Sequence, residues 1–297
     1  MQPSPEDTDA MMSEIMPSLD YSHAIGREEN REEMISSDRA RAMAASLDMA
    51  EIPDGGGLPP AWHWLYFNAF EKRSLLGTDG HPRRGGFLPD VALPRRMWAG
   101  SRVEYHHPLP LDRVGRKRST ISKAVTKSGK TGDLVFITVT HEIRSGDLLC
   151  IREEQDIVYR GISAVPAPAE TLPAPAAEWS EPFAPDAVLL FRYSALSSNG
   201  HRIHYDHPYA TGEEGYHDLV VHGPLTATLL HGLACRARPH ERLSRFSFRA
   251  VSPLYLSDHF WIEASSDPEP EELRLWARRA DGSLAMKADA VFERMDA

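Results

Sequence analysis

The spacing of apolar positions changes along the chain. Over residues 35–48 (ISSDRARAMAASLD) they recur at helical spacing behind a Ser/Asp start, which predicts a short amphipathic helix. Between residues 102 and 160 the runs become shorter and richer in β-branched and aromatic residues. The segments 102–105, 121–125, 134–143 and 148–159 read as strands of an antiparallel meander. An apolar helix is predicted over 225–237, followed by strands near 245–248, 260–264, 273–277 and 290–293. RVEY at 102–105 leads to Pro108-Leu109, and RFSF at 245–248 leads to Pro253-Leu254. This correspondence is a weak internal repeat and points to duplication.

Each half is therefore a helix with an antiparallel sheet of four or five strands, an α+β unit with the helix on one face. A sheet wrapped around a long central helix is the hotdog arrangement, and two of them fused would form a pseudo-dimer. The expected organisation is an acidic flexible tail (1–24), a first unit (25–163), an Ala/Pro linker without period (164–182) and a second unit (183–297). Two stretches of the first unit leave their roles open. Trp62, Trp64, Tyr66, Phe67 and Phe70 suit core packing or the wall of an acyl pocket. The Gly/Pro-rich loop 77–100 carries the pairs Arg83-Arg84 and Arg95-Arg96, which suit either a solvated loop or a phosphate-bearing ligand.

Composition narrows the class. With 297 residues, 41% of them hydrophobic, the chain has material for two cores. No apolar run reaches the roughly 18 residues of a membrane span, and the acidic first residues do not read as a signal peptide, so a cytoplasmic protein without membrane partners is expected. A formal charge of −10 argues against nucleic acid. Cys150 and Cys235 lack metal-ligand spacing and read as buried, reduced thiols.

The densest chemistry lies between Arg192 and Leu230. Asn199, His201, His204, Asp206 and His207 fall within nine residues, and Gly223-Pro224 opens an apolar helix whose first N–H groups lack intrahelical partners. Metal ligands at three-residue spacing work best on a helix, whereas Gly200 and Pro208 mark this segment as loop, so no metal site is expected. A neutral-pH acid/base beside a backbone oxyanion donor suits proton chemistry next to a carbonyl. Neither a Gly-x-Ser-x-Gly elbow nor a reactive cysteine context supports covalent catalysis.

YSALSSNGHRIHYD at 193–206 resembles the motif YxxLSGDxNPIHxD of the MaoC-like, R-specific enoyl-CoA hydratases. The resemblance implies that the family's catalytic His falls on His204, its closing Asp on Asp206, its catalytic Asp on Asn199 and its Asn on His201. VHGP at 221–224 matches the segment whose glycine N–H is the oxyanion donor, which gives that role to Gly223. PAWHWLYF (60–67), GHPRRGGFLP (80–89), PRRMWAG (94–100) and EQDIVYR (154–160) extend the likeness to the double-hotdog mesaconyl-C4-CoA and itaconyl-CoA hydratases.

What the resemblance implies is a hydro-lyase that hydrates a short branched C4-dicarboxylyl-CoA to citramalyl-CoA, with no cofactor beyond the CoA of its substrate. A 3-hydroxyacyl-thioester dehydratase of fatty-acid type and a non-catalytic acyl-CoA-binding module are the alternatives. An amide at 199 cannot take a proton from water, so His204 is the expected acid/base, Asn199 a positioning group and Gly223 the oxyanion donor. Tyr193, His201 and Asp206 are expected at the substrate. Arg192, Arg202, Arg95 and Arg96 are the candidates for its free carboxylate. The expected assembly is a monomeric pseudo-dimer or a homodimer of double hotdogs.

Overall fold

The two runs of strands join in one sheet. The computed structural model describes residues 20–49, 52, 57–68, 70–129, 132–161, 174–267, 269 and 271–294. Its strands are β1 (Glu28–Met34), β2 (Arg95–Tyr105), β3 (Val114–Gly129), β4 (Gly132–Ser145), β5 (Leu148–Arg160), β6 (Trp179–Phe183), β7 (Glu241–Ala250), β8 (Phe260–Ser266), β9 (Glu272–Arg279) and β10 (Leu284–Arg294). Helices are α1 (Ser37–Ser46), α2 (Ala187–Leu196), α3 (His207–Gly212) and α4 (Gly223–Ala237).

The sheet order is β1-β3-β4-β5-β2-β7-β10-β9-β8-β6, antiparallel throughout. Reading inward from either edge gives the same topology, first-third-fourth-fifth-second strand of each half. The repeat noticed in sequence is the seam between the halves. Val103 faces Phe246 and Glu104 faces Arg245 where β2 pairs with β7.

In the second half α4 packs against β7, β8, β9 and β10. Leu225, Ala227, Leu230, Leu233 and Ala234 are buried, as expected of a helix enclosed by its sheet. The first half differs from the hotdog expectation. Among the described residues it has no long helix in the corresponding place, only the tight turn Trp62–Leu65. Its sheet instead buries Ser101, Ser119, His141 and Glu153. Glu153 is satisfied by His63 (3.1 Å), Trp64 (3.0 Å), Ser101 (2.6 Å) and Gln155 (3.2 Å). Burial pushes its carboxyl up, and these hydrogen bonds with the neighbouring histidines outweigh that and bring it to about 2.

Ser36 caps α1 by accepting from the Asp38 N–H. Several boundaries move. Tyr21 and Ala24, placed in the tail, are buried, while residues 1–19 lie outside the described residues. The end of the expected linker, from Trp179 to Pro182, belongs to edge strand β6, and residues 164–173 also lie outside. The loop expected to reach residue 100 ends at Arg95, where β2 begins. Phe70 is 83% exposed and does not belong with the buried Trp62, Trp64, Tyr66 and Phe67. No described helix is long and apolar enough to cross a membrane.

Gly100 sits at the seam, and a Cβ there would come within 2.3 Å of the Phe248 carbonyl oxygen. Gly100→Ala should therefore lower unfolding free energy by about 1–3 kcal/mol. Urea denaturation measures this, and an unchanged midpoint would show that the seam can open to admit a methyl group.

Candidate active site

Loop 197–206 follows α2 and is folded by its own polar groups. Asn199 accepts the His201 N–H through its side-chain oxygen at 3.0 Å, an Asx turn. Residues Arg202–His204 then make one tight helical turn. Asp206 caps α3 through the Tyr209 N–H and holds the Arg202 guanidinium at 2.7 Å. Arg202 also stacks on Tyr209, 4.0 Å from the ring centre.

The first half closes over this loop. The Arg202 N–H donates to the Asp79 carbonyl at 2.9 Å, and its side chain donates to the Thr78 carbonyl at 2.9 Å. Gly80, at φ +87°, approaches Gly200 so closely that a Cβ would lie 1.9 Å from the Gly200 oxygen. Only glycine fits that position, for conformation and for space.

Beside this contact lies a cavity of about 1870 Å³ shared by both halves. His204, Asn199, His201, Tyr193 and Gly223 line it. His204 donates from Nδ1 to the Val220 carbonyl at 2.7 Å. That bond fixes the tautomer and leaves Nε2 as an acceptor. The ring stacks on His222, with centroids 3.6 Å apart and planes 19° apart, and meets His201 edge-on at 5.6 Å. Burial lowers the His204 pKa to about 3 against the opposing pull of the Val220 carbonyl. Burial likewise takes His201 to about 3, with His81 adding to the drop. His222, wholly buried and bonded to Ser194 at 2.8 Å, is held well below the usual imidazole range by burial and by His204.

Gly223 opens α4 with no side-chain cap, so an N–H at the positive helix end is available beside the cavity. Tyr193 is buried against His222, and burial raises its hydroxyl pKa. Of the arginines, Arg96 and Arg95 line the cavity, and Arg95 is held by Glu214. Arg192, expected at the substrate, is exposed on α2 outside the cavity lining. Arg202 and Asp206 also lie outside the lining. They pair with each other and hold the loop together.

Sequence reasoning missed Asp79 and His81. His81 Nδ1 lies 3.1 Å from an Asp79 carboxylate oxygen, and its ring centre lies 4.2 Å from that of His201. GHPRRGG was noted for its arginines; nothing local shows that its histidine meets His201 across 120 residues of chain. Asp79, His81 and His201 offer three ligand-type atoms within 4.8 Å of one another. Two of these atoms already face each other across the 3.1 Å hydrogen bond.

Residues 61–256 match the family model for hydroxyacyl-thioester dehydratase type 2. The chain belongs to that family. Its similarity to a mesaconyl-C(4)-CoA hydratase of Chloroflexus aurantiacus is 45% identity over 280 residues, 92% of this chain and 98% of the relative. The mitochondrial hydroxyacyl-thioester dehydratase type 2 of Schizosaccharomyces pombe is 28% identical, covering 73% of this chain and 84% of that protein. In fold, the chain resembles a MaoC-like dehydratase from Phytophthora capsici with a TM-score of 0.67 at 12% identity, covering 91% of this chain and 97% of the other. A Mycobacterium tuberculosis protein with a double hotdog fold gives 0.54 at 14% identity, with coverages of 91% and 96%.

In this member of the dehydratase family the imidazoles are built to be neutral. Buried groups with depressed pKa bind fewer protons folded than unfolded below about pH 6.5. Stability should therefore fall as pH drops from about 6.5 towards 3, through His201, His204 and His231, each brought to about 3 chiefly by burial. Urea midpoints recorded between pH 7 and 5 test this, and a flat profile there would contradict neutral buried histidines.

Proposed function

We propose that this chain adds water reversibly across the double bond of mesaconyl-C4-CoA to give citramalyl-CoA. The observation that carries the reading is His204, whose free Nε2 shares the cavity with the capless start of α4 at Gly223. The 45% identity to the mesaconyl-C(4)-CoA hydratase, over nearly the whole of both chains, supports the choice of acyl group.

The chemistry follows from the parts. Water bound to His204 Nε2 gives up a proton to the cavity's imidazoles as its oxygen bonds to the carbon β to the thioester. The electron pair of the double bond moves onto the thioester oxygen, and the enolate then takes that proton at the α carbon. The Gly223 N–H receives that developing charge, aided by the helix dipole. Such stabilisation requires a double bond conjugated with the thioester, as in mesaconyl-C4-CoA. In itaconyl-CoA the double bond is not conjugated with it, so that compound is the poorer fit. Asn199 keeps the loop in shape through the His201 N–H and leaves its amide nitrogen as a donor. Arg96 has no carboxylate partner among the described residues and lies close enough to influence both His81 and His201. It is therefore the arginine assigned to the free carboxylate. Water addition needs proton transfer and charge stabilisation alone, so no cofactor is assigned beyond the CoA of the substrate.

Purified protein given mesaconyl-C4-CoA, itaconyl-CoA and crotonyl-CoA should turn over the first fastest, with citramalyl-CoA identified by mass. Preference for crotonyl-CoA would move the assignment to a fatty-acid-type dehydratase, and tight binding without turnover would leave a binding module. His204→Ala should lower kcat at least about 100-fold, read as loss of enoyl-thioester absorbance. Near wild-type turnover would remove His204 from the mechanism.

A further inference from the structure

Four imidazoles, those of His81, His201, His204 and His222, gather at one end of the cavity. Addition of water places a proton on the protein for the life of the enolate, and whichever of these imidazoles takes it becomes a cation. His204 is poorly placed to do so. Its partners are the Val220 carbonyl and the His222 and His201 rings, with no carboxylate among them. A cation there would press against His222 at a ring distance of 3.6 Å. His222 faces the Ser194 hydroxyl and the Tyr193 and His204 rings, again without a carboxylate, and Asn199 is neutral and occupied by the turn.

We propose that His81, held by Asp79, is the group that takes the proton from water and returns it to the substrate. The inference rests on the hydratase reading above and deepens it. The Asp79 carboxylate accepts from His81 Nδ1, which leaves Nε2 to act as the base in the neutral state and makes the protonated ring an ion pair. Asp79 is fixed for this task. One carboxylate oxygen accepts the His81 N–H at 3.0 Å, and the Asp79 carbonyl is bound by Arg202. Burial raises the Asp79 carboxyl, and the His81 bonds and charge outweigh it, so the group stays ionised. The groups facing His81 are Asp79, His201, Arg96 and Arg84. Burial and the two arginines keep the resting ring neutral against the pull of Asp79.

The step balances. One O–H bond of water breaks and its proton goes to His81 Nε2, while His204 Nε2 holds the other hydrogen. The oxygen bonds to the β carbon, and the π pair becomes an enolate at Gly223. The enolate then collapses, forming the α C–H bond with the proton from His81, which returns to neutrality. Asp79 is a positioning residue, since it acts through the ring.

The test compares wild type, His81→Gln and Asp79→Asn on mesaconyl-C4-CoA, or on whichever enoyl-CoA of the panel the wild type turns over fastest. Wild-type turnover establishes the hydratase reading independently, and lack of turnover on the whole panel overturns that reading rather than the role of His81. His81→Gln should lose about 100-fold or more in kcat with KM within about threefold and an unchanged melting temperature. Turnover within about threefold of wild type overturns the proposal.

Asp79→Asn decides the matter if the first variant fails to fold. Without the carboxylate the ring holds a proton less tightly, so the acid limb of kcat should move down by about one pH unit or more as kcat falls. A purely structural aspartate would change stability or KM and leave that limb in place, and an unshifted limb overturns the proposal. Wild type dialysed against EDTA should keep its rate. Loss restored by zinc would overturn the proton role and give Asp79, His81 and His201 to an ion.

Discussion

The antiparallel pairing of β2 with β7 is the constraint on which the rest of the molecule depends. Gly100 to Glu104 lie against Arg245 to Arg249, and this one ladder turns two five-stranded half-sheets into a ten-stranded whole. The join places the loop before β2 of one half against the loop that follows α2 in the other. That is how Asp79 and His81, carried on the connection before β2, arrive beside His201 and His204, carried on the connection before α4. The backbone contact of Gly80 with Gly200 is the local expression of this geometry. It leaves no room for a side chain at position 80, so the two loops are placed as a unit.

The central elements were legible in sequence because their hydrophobic periods are strong. Strands β4 and β5 and helix α4 bury runs of Val, Ile, Leu and Ala, and both halves repeat that signal. The edges were not legible. Strand β1 reads EENREEM, with charged residues on both faces, and is held by backbone pairing to β3 rather than by apolar burial. Charged edges of this kind discourage pairing with other chains, which is also why they lack a strand signature. Helix α2, which precedes the site loop and carries Tyr193 and Ser194, was overlooked because the polar residues after it dominated the reading. The motif at 193–206 pointed to the loop whose His204 lines the cavity. Arg202 and Asp206 of the motif, and Arg192 before it, stand outside the cavity lining, a placement set by side-chain direction, and the meeting of Asp79 and His81 with this loop required the fold itself.

Electrostatics in the cavity run opposite to the formal charge of the chain. A protein with a formal charge of −10 keeps Arg95, Arg96 and Lys117 at this one cavity, where an acidic acyl-CoA would meet them. Burial brings Lys117 down to about 8, so even this ammonium is held at some cost in hydration. The histidines answer burial by discharging instead. Stacking of His204 on His222 is tolerable for two neutral rings and strongly unfavourable for two cations.

The two halves share a strand order but differ in what they place against the sheet. The second half keeps the long helix and, with it, the N–H at Gly223 and the histidine loop that precedes it. In the first half the segment after α1 reads LDMAEI, without an imidazole, and the described residues include no long helix against that half of the sheet. Where the second half has its helix, the described residues of the first half leave space and polarity. Its inner sheet face carries Ser119, His141 and Glu153, groups that an enclosed apolar helix would have left without water or partners. The cavity lies where the described residues of the first half place no long helix, and that half sends Asp79 and His81 across to the histidine loop of the half that has one.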